Sequence, residues 1–271
     1  MAAEKLEKSE AVKTEAVKPR LEAELRELHL PTVRSSYEEL ARQAEAETLS
    51  YERYLLNLCD RECQERRQRK IGRLLRESSL PLEKTFETFD LKRLPTKVAR
   101  QVQSLRAGDF VDRKENLLAF GKPGSGKTHL LCALAQDLVH QGRRVWFTTC
   151  SLLVQTLLAA KRDLKLSRVL KRLAGYEVML IDDLGYVQQD RAEMEVLFTL
   201  LADRYERGSV WLTSNLPFSK WEAIFKDPMT TAAAIDRLVH HSVIVELNMP
   251  SYRLEHAKNA KEEEAATAPA G

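Results

Sequence analysis

The chain has 271 residues, of which 44% are hydrophobic and 31% charged, so it can bury one substantial core and a small accessory domain. Its formal net charge is only +3, and an acidic partner would therefore have to be attracted by local clusters of basic residues. The first residues lack the apolar stretch of a secretory signal, and no window approaches the roughly 20 apolar residues of a membrane span, so we expect a cytoplasmic protein with no membrane partner.

Both ends of the chain have a composition typical of disorder. Residues 1–20 are rich in Ala, Glu and Lys without apolar periodicity, and residues 258–271 are similar. Near Pro81 a run of helical patterns changes to alternating strand and helix patterns. We therefore predict disordered tails over 1–20 and 258–271, a helical domain over 21–80 and a larger domain over 81–257.

In the helical domain, one helix face is predicted from the apolar spacing of Tyr51, Tyr54, Leu55, Leu58 and Cys59. Ser50 is placed to cap this helix. The face needs partners, and the segments 21–30 and 32–46 supply them, so we predict a small helical bundle.

The same helix continues into a basic tract with few acids. This tract could hold a duplex backbone without reading sequence, because lysine and arginine contacts to phosphates give affinity rather than specificity. A solvent-exposed linker helix is the alternative. The residues of the tract are Arg66, Arg67, Arg69, Lys70, Arg73 and Arg76, and those predicted to bind DNA are Arg66, Arg69, Lys70 and Arg73.

After Pro81, apolar segments typical of buried strands alternate with helical segments. This alternation predicts an α/β fold of three layers, in which a parallel sheet lies between helices. The predicted strands are 116–120, 145–149, 178–181, 210–213 and 243–247.

The segment GKPGSGKT that follows the first strand fits the phosphate-binding pattern G-x-x-x-x-G-K-[ST], and an apolar helix comes directly after it. Its glycines allow backbone N–H groups to converge on phosphate oxygens at a helix N-terminus. Lys127 would hold the terminal phosphates, and the Thr128 hydroxyl would bind Mg²⁺. The predicted nucleotide-binding residues are Gly121, Lys122, Pro123, Gly124, Ser125, Gly126, Lys127, Thr128 and His129.

The segment 151–174, between the second and third predicted strands, is longer than a crossover helix requires. If the helix is continuous, its basic residues form one stripe that can follow a phosphate backbone, with a solvated helix face as the alternative. The stripe contains Lys161, Lys165, Arg168 and Arg172, and Arg162 lies beside it.

Polar residues follow two later strands, where the ligand crevice of a parallel sheet is expected. Asp182 would hold Mg²⁺ through water, and Asp183 would polarise the attacking water. Asn215 would sense the terminal phosphate or hold the water, unless it is an ordinary turn residue. Farther on, Arg237 either pairs locally with Asp236 or reaches a neighbour's nucleotide as an arginine finger.

Cysteine and histidine spacing does not indicate a metal site. The four cysteines form no CxxC pair, so we expect reduced and mostly buried thiols. The adjacent His240 and His241 would point to different sides of a helix or strand, and we predict no zinc site.

The motifs in this order resemble an AAA+ ATPase, and more narrowly the IstB-like transposition helper proteins, relatives of the helicase loader DnaC and the initiator DnaA. The residues that carry the resemblance are FETFD at 86–90, GKPGSGKTH at 121–129, LIDDLGY at 180–186, LTSNLPFSKW at 212–221, AAAIDRLVHHS with the following SYR at 251–253, and LSYERYLLNLCDRE at 49–62.

The resemblance implies a sensor role for Asn215 and an arginine-finger role for Arg237. It also offers Arg253 as a candidate for a further contact with the nucleotide or with a neighbouring copy. It also implies that the basic segment after the second strand touches DNA. Asp183 stands where the wider AAA+ pattern has Glu. The implied cofactors are ATP and Mg²⁺, and the implied partners are double-stranded DNA, further copies of the chain and a transposase.

Two other functions fit the same residues. A DnaC-like helicase loader would share the ATP-hydrolysing core and use its front end to hold a helicase. A non-enzymatic scaffold would bind ATP only to polymerise on DNA.

Overall fold

The computed structural model describes residues 17–185, 190–222 and 228–252. The chain forms two compact units that divide between Gly72 and Arg73. The sequence placed this boundary later, at Pro81. The division comes earlier because Leu74 and Leu80 belong to the hydrophobic core of the second unit.

The first unit consists of helix α1, described over 17–27, helix α2 (Pro31–Ala46) and most of helix α3 (Tyr51–Ser78). Its core is formed by Leu25, Val33 and Leu58. Residues 17–20 are helical, so the prediction of a disordered tail was wrong for them. The rest of that tail and the tail at 258–271 lie outside the described residues.

The prediction for the apolar face of α3 was only partly right. Ser50 caps the helix as expected, since its Oγ accepts a hydrogen bond of 3.3 Å from the N–H of Arg53. Tyr54 and Leu58 pack into the core, whereas Tyr51 is 91% exposed and Leu55 is also exposed. The face of α3 that packs inward therefore contains Tyr54 and Leu58, which are four residues apart. Glu62, four residues farther on, is a buried carboxylate on the same face.

Glu62 connects two helices of this unit. Helix α2 has no side-chain cap of its own, and the Glu62 carboxylate accepts hydrogen bonds from the N–H groups of Thr32 and Val33, at 2.8 and 3.1 Å. Arg66 Nε donates to the same carboxylate at 2.7 Å. Burial raises the pKa of Glu62, but the hydrogen bonds from Arg66 and from the two amides outweigh it and hold the pKa below its usual value.

The second unit is a three-layer α/β fold, as predicted. Its five-stranded sheet has the order β2-β3-β4-β1-β5, and all neighbouring strands are parallel. The strands are β1 (Asn116–Gly121), β2 (Val145–Thr149), β3 (Val178–Leu184), β4 (Ser209–Ser214) and β5 (Ser242–Leu247). The helices are α4 (Thr96–Leu105), α5 (Asp109–Asp112), α6 (Lys127–His140), α7 (Cys150–Arg162), α8 (Leu166–Leu173), α9 (Arg191–Arg204) and α10 (Pro228–Val239).

Alternate residues of the strands face two separate cores. Leu117 and Leu180 pack into the core that includes α4 and α6, whereas Leu118 and Ile181 pack into the core that includes α7 and α9. Because both faces of β1, β3 and β4 are covered, these strands read as nearly continuous apolar runs. The edge strand β5 exposes Ile244 and Glu246, and its shorter apolar run was still sufficient to predict it.

Two expectations about individual side chains were wrong. Cys59 and Cys63 are exposed on α3, so only two of the four thiols are buried. The rings of His240 and His241 do not point to different sides, since their centroids lie 4.2 Å apart. Both residues lie in the turn between α10 and β5, where the regular alternation of a helix or strand does not apply. No helix in the described ranges has both the length and the apolar character of a membrane span.

Candidate functional site

The loop between β1 and α6 forms one wall of a cavity of about 540 Å³. The loop has left-handed backbone angles at Gly124 and Gly126, with φ of +77° and +91°. A side chain would be strained there, and a Cβ atom on Gly126 would come within 3.0 Å of Phe89. The two glycines therefore allow a tight turn that leads directly into the N-terminus of α6, a position that favours bound anions.

Lys127 and Thr128 begin α6 at the floor of this cavity. The Lys127 ammonium donates to the carbonyl oxygens of Gly121 and Lys122, at 2.9 and 3.1 Å. The Thr128 hydroxyl donates to Asp182 Oδ1 at 2.8 Å. The loop thus holds a positive charge at its centre and a hydroxyl next to a carboxylate.

Asp182 and Asp183 lie near the C-terminal end of β3, and both line the cavity. Asp182 is buried, whereas Asp183 is exposed and has a left-handed φ of +60°. The pairing of β3 with β4 shifts register between Ile181 and Leu184. This irregularity turns the second carboxylate away from the position that a regular strand would give it.

Thr213 of β4 links the two acids and was missed by the sequence analysis. Its hydroxyl donates to Asp182 Oδ1 at 2.5 Å and accepts from the N–H of Asp183 at 2.9 Å. The side chain is fully buried. Its position at the end of an apolar strand gave no signal, because a threonine there is also an ordinary strand residue.

Asn215 follows β4 and lines the same cavity, on the side of the two acids. Arg237 does not line it. The Arg237 guanidinium lies 4.8 Å from the ring centroid of Phe198 and donates to the carbonyl of Ala233 at 2.9 Å. In the described part of the chain no ion pair joins it to Asp236. Arg253 lies outside the described residues.

A second part of the cavity lining, in contact with the loop, comes from segments that carry no phosphate-binding motif. It includes Phe89, Arg93, Met249 and Tyr252. The Tyr252 N–H donates to the carbonyl of Gly124 at 3.0 Å, and the Arg93 guanidinium lies 5.1 Å from the Tyr252 ring centroid. These segments are far apart in sequence, so only the tertiary structure brings them together.

His129 connects helix α6 to the segment that carries Phe89. Its Nε2 lies 3.0 Å from the carbonyl oxygen of Thr85 and 3.1 Å from Thr88 Oγ1. Its ring packs edge-on against Phe89, with 5.2 Å between the centroids. His129, which was predicted to bind nucleotide, lines the cavity, and these contacts connect it to the segment around Phe89.

The basic segment after β2 is not the continuous helix that the stripe required. Helix α7 ends at Arg162, the backbone turns at Leu164 with φ of +58°, and α8 begins at Leu166. Lys161 pairs with Glu195 at 2.8 Å. The helix breaks because the apolar face of α8 has to turn onto the core, where Leu173 is buried. The residues that remain exposed together around α8 are Arg162, Lys165, Arg168 and Arg172.

The basic tract of α3 is exposed, but three of its members have contacts with other side chains or the backbone. Arg66 binds Glu62 and the carbonyl of His29. Arg69 donates to Thr32 Oγ1 at 3.2 Å. Lys70 has no hydrogen bond or ion pair with another residue that the structure describes. Arg73 lies 3.9 Å from Glu77 in the second unit.

Comparison with known proteins assigns a family to this fold and site. A family model described as IstB-like ATP binding protein matches residues 23–260. The chain belongs to the IstB-like ATP binding proteins. It is 42% identical over 243 residues to an insertion sequence ATP-binding protein of Sinorhizobium fredii, which covers 89% of this chain and 82% of that protein. It is 37% identical over 240 residues to the insertion sequence IS21 ATP-binding protein of Pseudomonas aeruginosa, covering 89% of this chain and 91% of that protein.

Solved structures share the fold of the IstB-like chain at low sequence identity. The DnaC helicase loader superposes with a TM-score of 0.53 at 16% identity, covering 61% of this chain and 97% of that one. The replication initiator DnaA, bound to AMPPCP and single-stranded DNA, superposes with a TM-score of 0.53 at 17% identity and covers 69% of this chain and 56% of that one. The predicted likeness to the DnaC and DnaA group is therefore confirmed for the fold.

Proposed function

We propose that this protein is an ATP hydrolase that assembles on double-stranded DNA in an ATP-dependent manner and assists a transposase. The single observation that carries the proposal is the cavity that unites the 121–128 loop with Asp182, Asp183 and Asn215. The relatives of this protein are named as insertion sequence ATP-binding proteins. That naming supports a role in transposition rather than in helicase loading.

The residues around the loop suit a triphosphate. Backbone N–H groups at the start of α6 and the Lys127 ammonium present positive charge to the cavity. Lys127 bonds to loop carbonyls, contacts that it can exchange for phosphate oxygens without leaving the cavity. We infer that Phe89 and Tyr252, which also line the cavity, contact the base and ribose, since aromatic side chains provide a large apolar surface.

The donors beside the loop fit Mg²⁺. This ion prefers oxygen ligands and keeps several waters, and the Thr128 hydroxyl and the Asp182 carboxylate lie in contact beside the phosphate-binding loop. When bound, the ion neutralises charge on the phosphate oxygens. Thr128 and Asp182 would hold it from the protein side.

Hydrolysis requires a carboxylate that accepts a proton from water, and we assign this role to Asp183. Asp183 is exposed to the cavity next to Asn215, whose amide can orient the same water or the terminal phosphate. Asp is one methylene shorter than the Glu of the wider AAA+ pattern. We therefore expect slow turnover.

Arg237 is proposed to act on a neighbouring copy. It lies outside the cavity of its own chain and is partly exposed on α10, so it is available to a second protomer. An arginine finger supplied in this way makes hydrolysis depend on assembly.

Nucleotide binding is tested with Lys127→Ala, and with Lys97→Ala as a control for the loss of an exposed lysine on α4. Calorimetry with ATP and Mg²⁺ should show at least about tenfold weaker binding for Lys127→Ala, equivalent to about 1.4 kcal/mol. Lys97→Ala should bind like the unsubstituted protein. Unchanged affinity in Lys127→Ala would contradict the proposed site.

Hydrolysis and assembly are separated with Asp183→Asn. Phosphate release should fall by about 10² to 10⁴, the usual contribution of a positioned general base, while ATP affinity stays the same. Electron microscopy with duplex DNA and a non-hydrolysable ATP analogue should show rings or spirals with both proteins. Assembly without any phosphate release by the unsubstituted protein would favour the non-enzymatic scaffold.

A further inference from the structure

A group of metal-binding side chains lies at the end of the sheet away from the phosphate-binding loop. Glu206 follows α9, and His240 and His241 connect α10 to β5. One ligand atom from each of the three residues lies within 4.8 Å of the other two. In the part of the chain that the structure describes, no other set of three such residues comes as close.

His240 has the orientation of a metal ligand. Its Nδ1 forms a hydrogen bond of 2.8 Å with the Tyr205 hydroxyl. When the hydroxyl accepts this hydrogen bond, the ring proton of His240 is on Nδ1. Nε2 of His240 then carries the lone pair, as it does in metal sites where the second ring nitrogen is hydrogen-bonded.

We propose that Glu206, His240 and His241 form a binding site for one divalent transition-metal ion. Two imidazoles and a carboxylate suit Zn²⁺, Co²⁺, Ni²⁺ and Cu²⁺, whereas Mg²⁺ and Ca²⁺ prefer oxygen ligands alone. Metal–ligand bonds of about 2.1 Å bring two donors to within about 4 Å of each other. Small rotations of these exposed side chains are enough to close the site, and water completes the coordination.

The ion would connect the ends of two helices. Glu206 is joined to α9 and His240 to α10, and the two helices already contact each other through Arg237 over Phe198. A bound ion holds these ends together only in the folded state. It therefore raises the melting temperature, because a ligand that binds the folded state alone stabilises it.

The experiment uses full-length protein without an affinity tag and without nucleotide, since ATP chelates metal ions. Cys59 and Cys63 are exposed thiols, and thiolates are zinc ligands, so both are replaced by serine in the background protein. Zn²⁺ is titrated by calorimetry, and Co²⁺ is followed by its visible absorption. The background protein should bind one equivalent of Zn²⁺ and melt at a higher temperature when it is bound.

In this background, His241→Gln and Glu206→Gln should each weaken Zn²⁺ binding by more than about tenfold and remove the rise in melting temperature. Tyr205→Phe leaves all three ligands in place and should weaken binding by about tenfold, the usual effect of losing a hydrogen bond that orients a ligand. His140→Gln removes an exposed histidine elsewhere and should change nothing. All variants should melt like the background protein without metal.

Two results would overturn the proposal. The first is the absence of a Zn²⁺ titration signal in the background protein. The second is binding that persists at full strength in both His241→Gln and Glu206→Gln, which would place the ion elsewhere.

Discussion

One buried hydroxyl that was not predicted as part of the site is hydrogen-bonded to both Asp182 and Asp183. Thr213 is bonded to the carboxylate of one acid and to the amide of the other. Asp183 has a left-handed backbone, which is costly for a residue other than glycine. The hydrogen bond from its N–H to Thr213 helps to hold that conformation.

We predict that Thr213→Val slows ATP hydrolysis more than it weakens ATP binding. Valine fills the same space but removes the hydrogen bonds to the Asp182 carboxylate and to the Asp183 N–H, a loss of about 1 to 3 kcal/mol. Phosphate release should fall by about tenfold to a hundredfold, and the Mg²⁺ concentration needed for half-maximal rate should rise.

Two further variants distinguish positioning from stability. Thr213→Ser keeps the hydroxyl and should restore turnover. Thr148→Val removes a buried hydroxyl from β2, where its partner is the carbonyl of Thr149, and should leave turnover unchanged. Equal rates for Thr213→Val and the unsubstituted protein would show that the hydroxyl has no part in catalysis.

At the level of helices and strands, the helical unit depends on a cap that comes from another helix. The Glu62 carboxylate of α3 accepts hydrogen bonds from the first backbone N–H groups of α2 while it is paired with Arg66. Because its pKa in the folded protein is lowered, its contribution to stability is present above the unfolded pKa near 4.5. That contribution is lost as the pH falls through the lower, folded value.

We predict that Glu62→Gln lowers the free energy of unfolding by about 1 to 3 kcal/mol at pH 7, because a charged acceptor of three hydrogen bonds is lost. Glu65→Gln, on the exposed side of α3, should change it by less than about 0.5 kcal/mol. Urea unfolding followed by circular dichroism measures both. The difference between the Glu62→Gln variant and the unsubstituted protein should shrink below about pH 4. A difference that is independent of pH would contradict the role of the charge.

Across the whole molecule, the structure changes which basic residues are suitable for testing DNA binding. Arg66 and Arg69 stabilise the helical unit, and Lys161 pairs with Glu195, so their replacement would alter stability as well as charge. Lys165, Arg168 and Arg172 are exposed around α8, and Arg67 and Lys70 are exposed on α3. These five residues can be changed with less effect on the fold.

We predict that Lys165→Glu with Arg168→Glu weakens duplex binding and lowers its salt dependence, because each lost phosphate contact reduces the slope of log affinity against log salt by about 0.9. Fluorescence anisotropy with a non-hydrolysable ATP analogue measures both quantities. Arg67→Glu with Lys70→Glu tests the α3 tract in the same way, and Lys97→Glu with Arg100→Glu controls for the change in net charge. An effect no larger than that of the control would exclude the tract concerned from the DNA interface.

The sequence alone predicted the five strands, the parallel sheet and the loop from Gly121 to Thr128. Each of these depends on neighbouring residues: the strands on apolar runs buried on both faces, and the loop on glycines next to a lysine and a hydroxyl. Such local patterns can be read without knowledge of distant contacts. The family resemblance also rested on motifs of this kind.

The residues that surround these motifs in space could be found only from the tertiary structure. Phe89, Arg93 and Tyr252 meet at one cavity wall, Thr213 joins two acids, and His240 meets His241 and Glu206 in the turns at the far end of the sheet. It also broke the basic helix at Leu164, because the apolar face of α8 packs onto the core. These arrangements depend on the crossing of segments that are distant in sequence, and the periodicity of one segment carries no information about its partner.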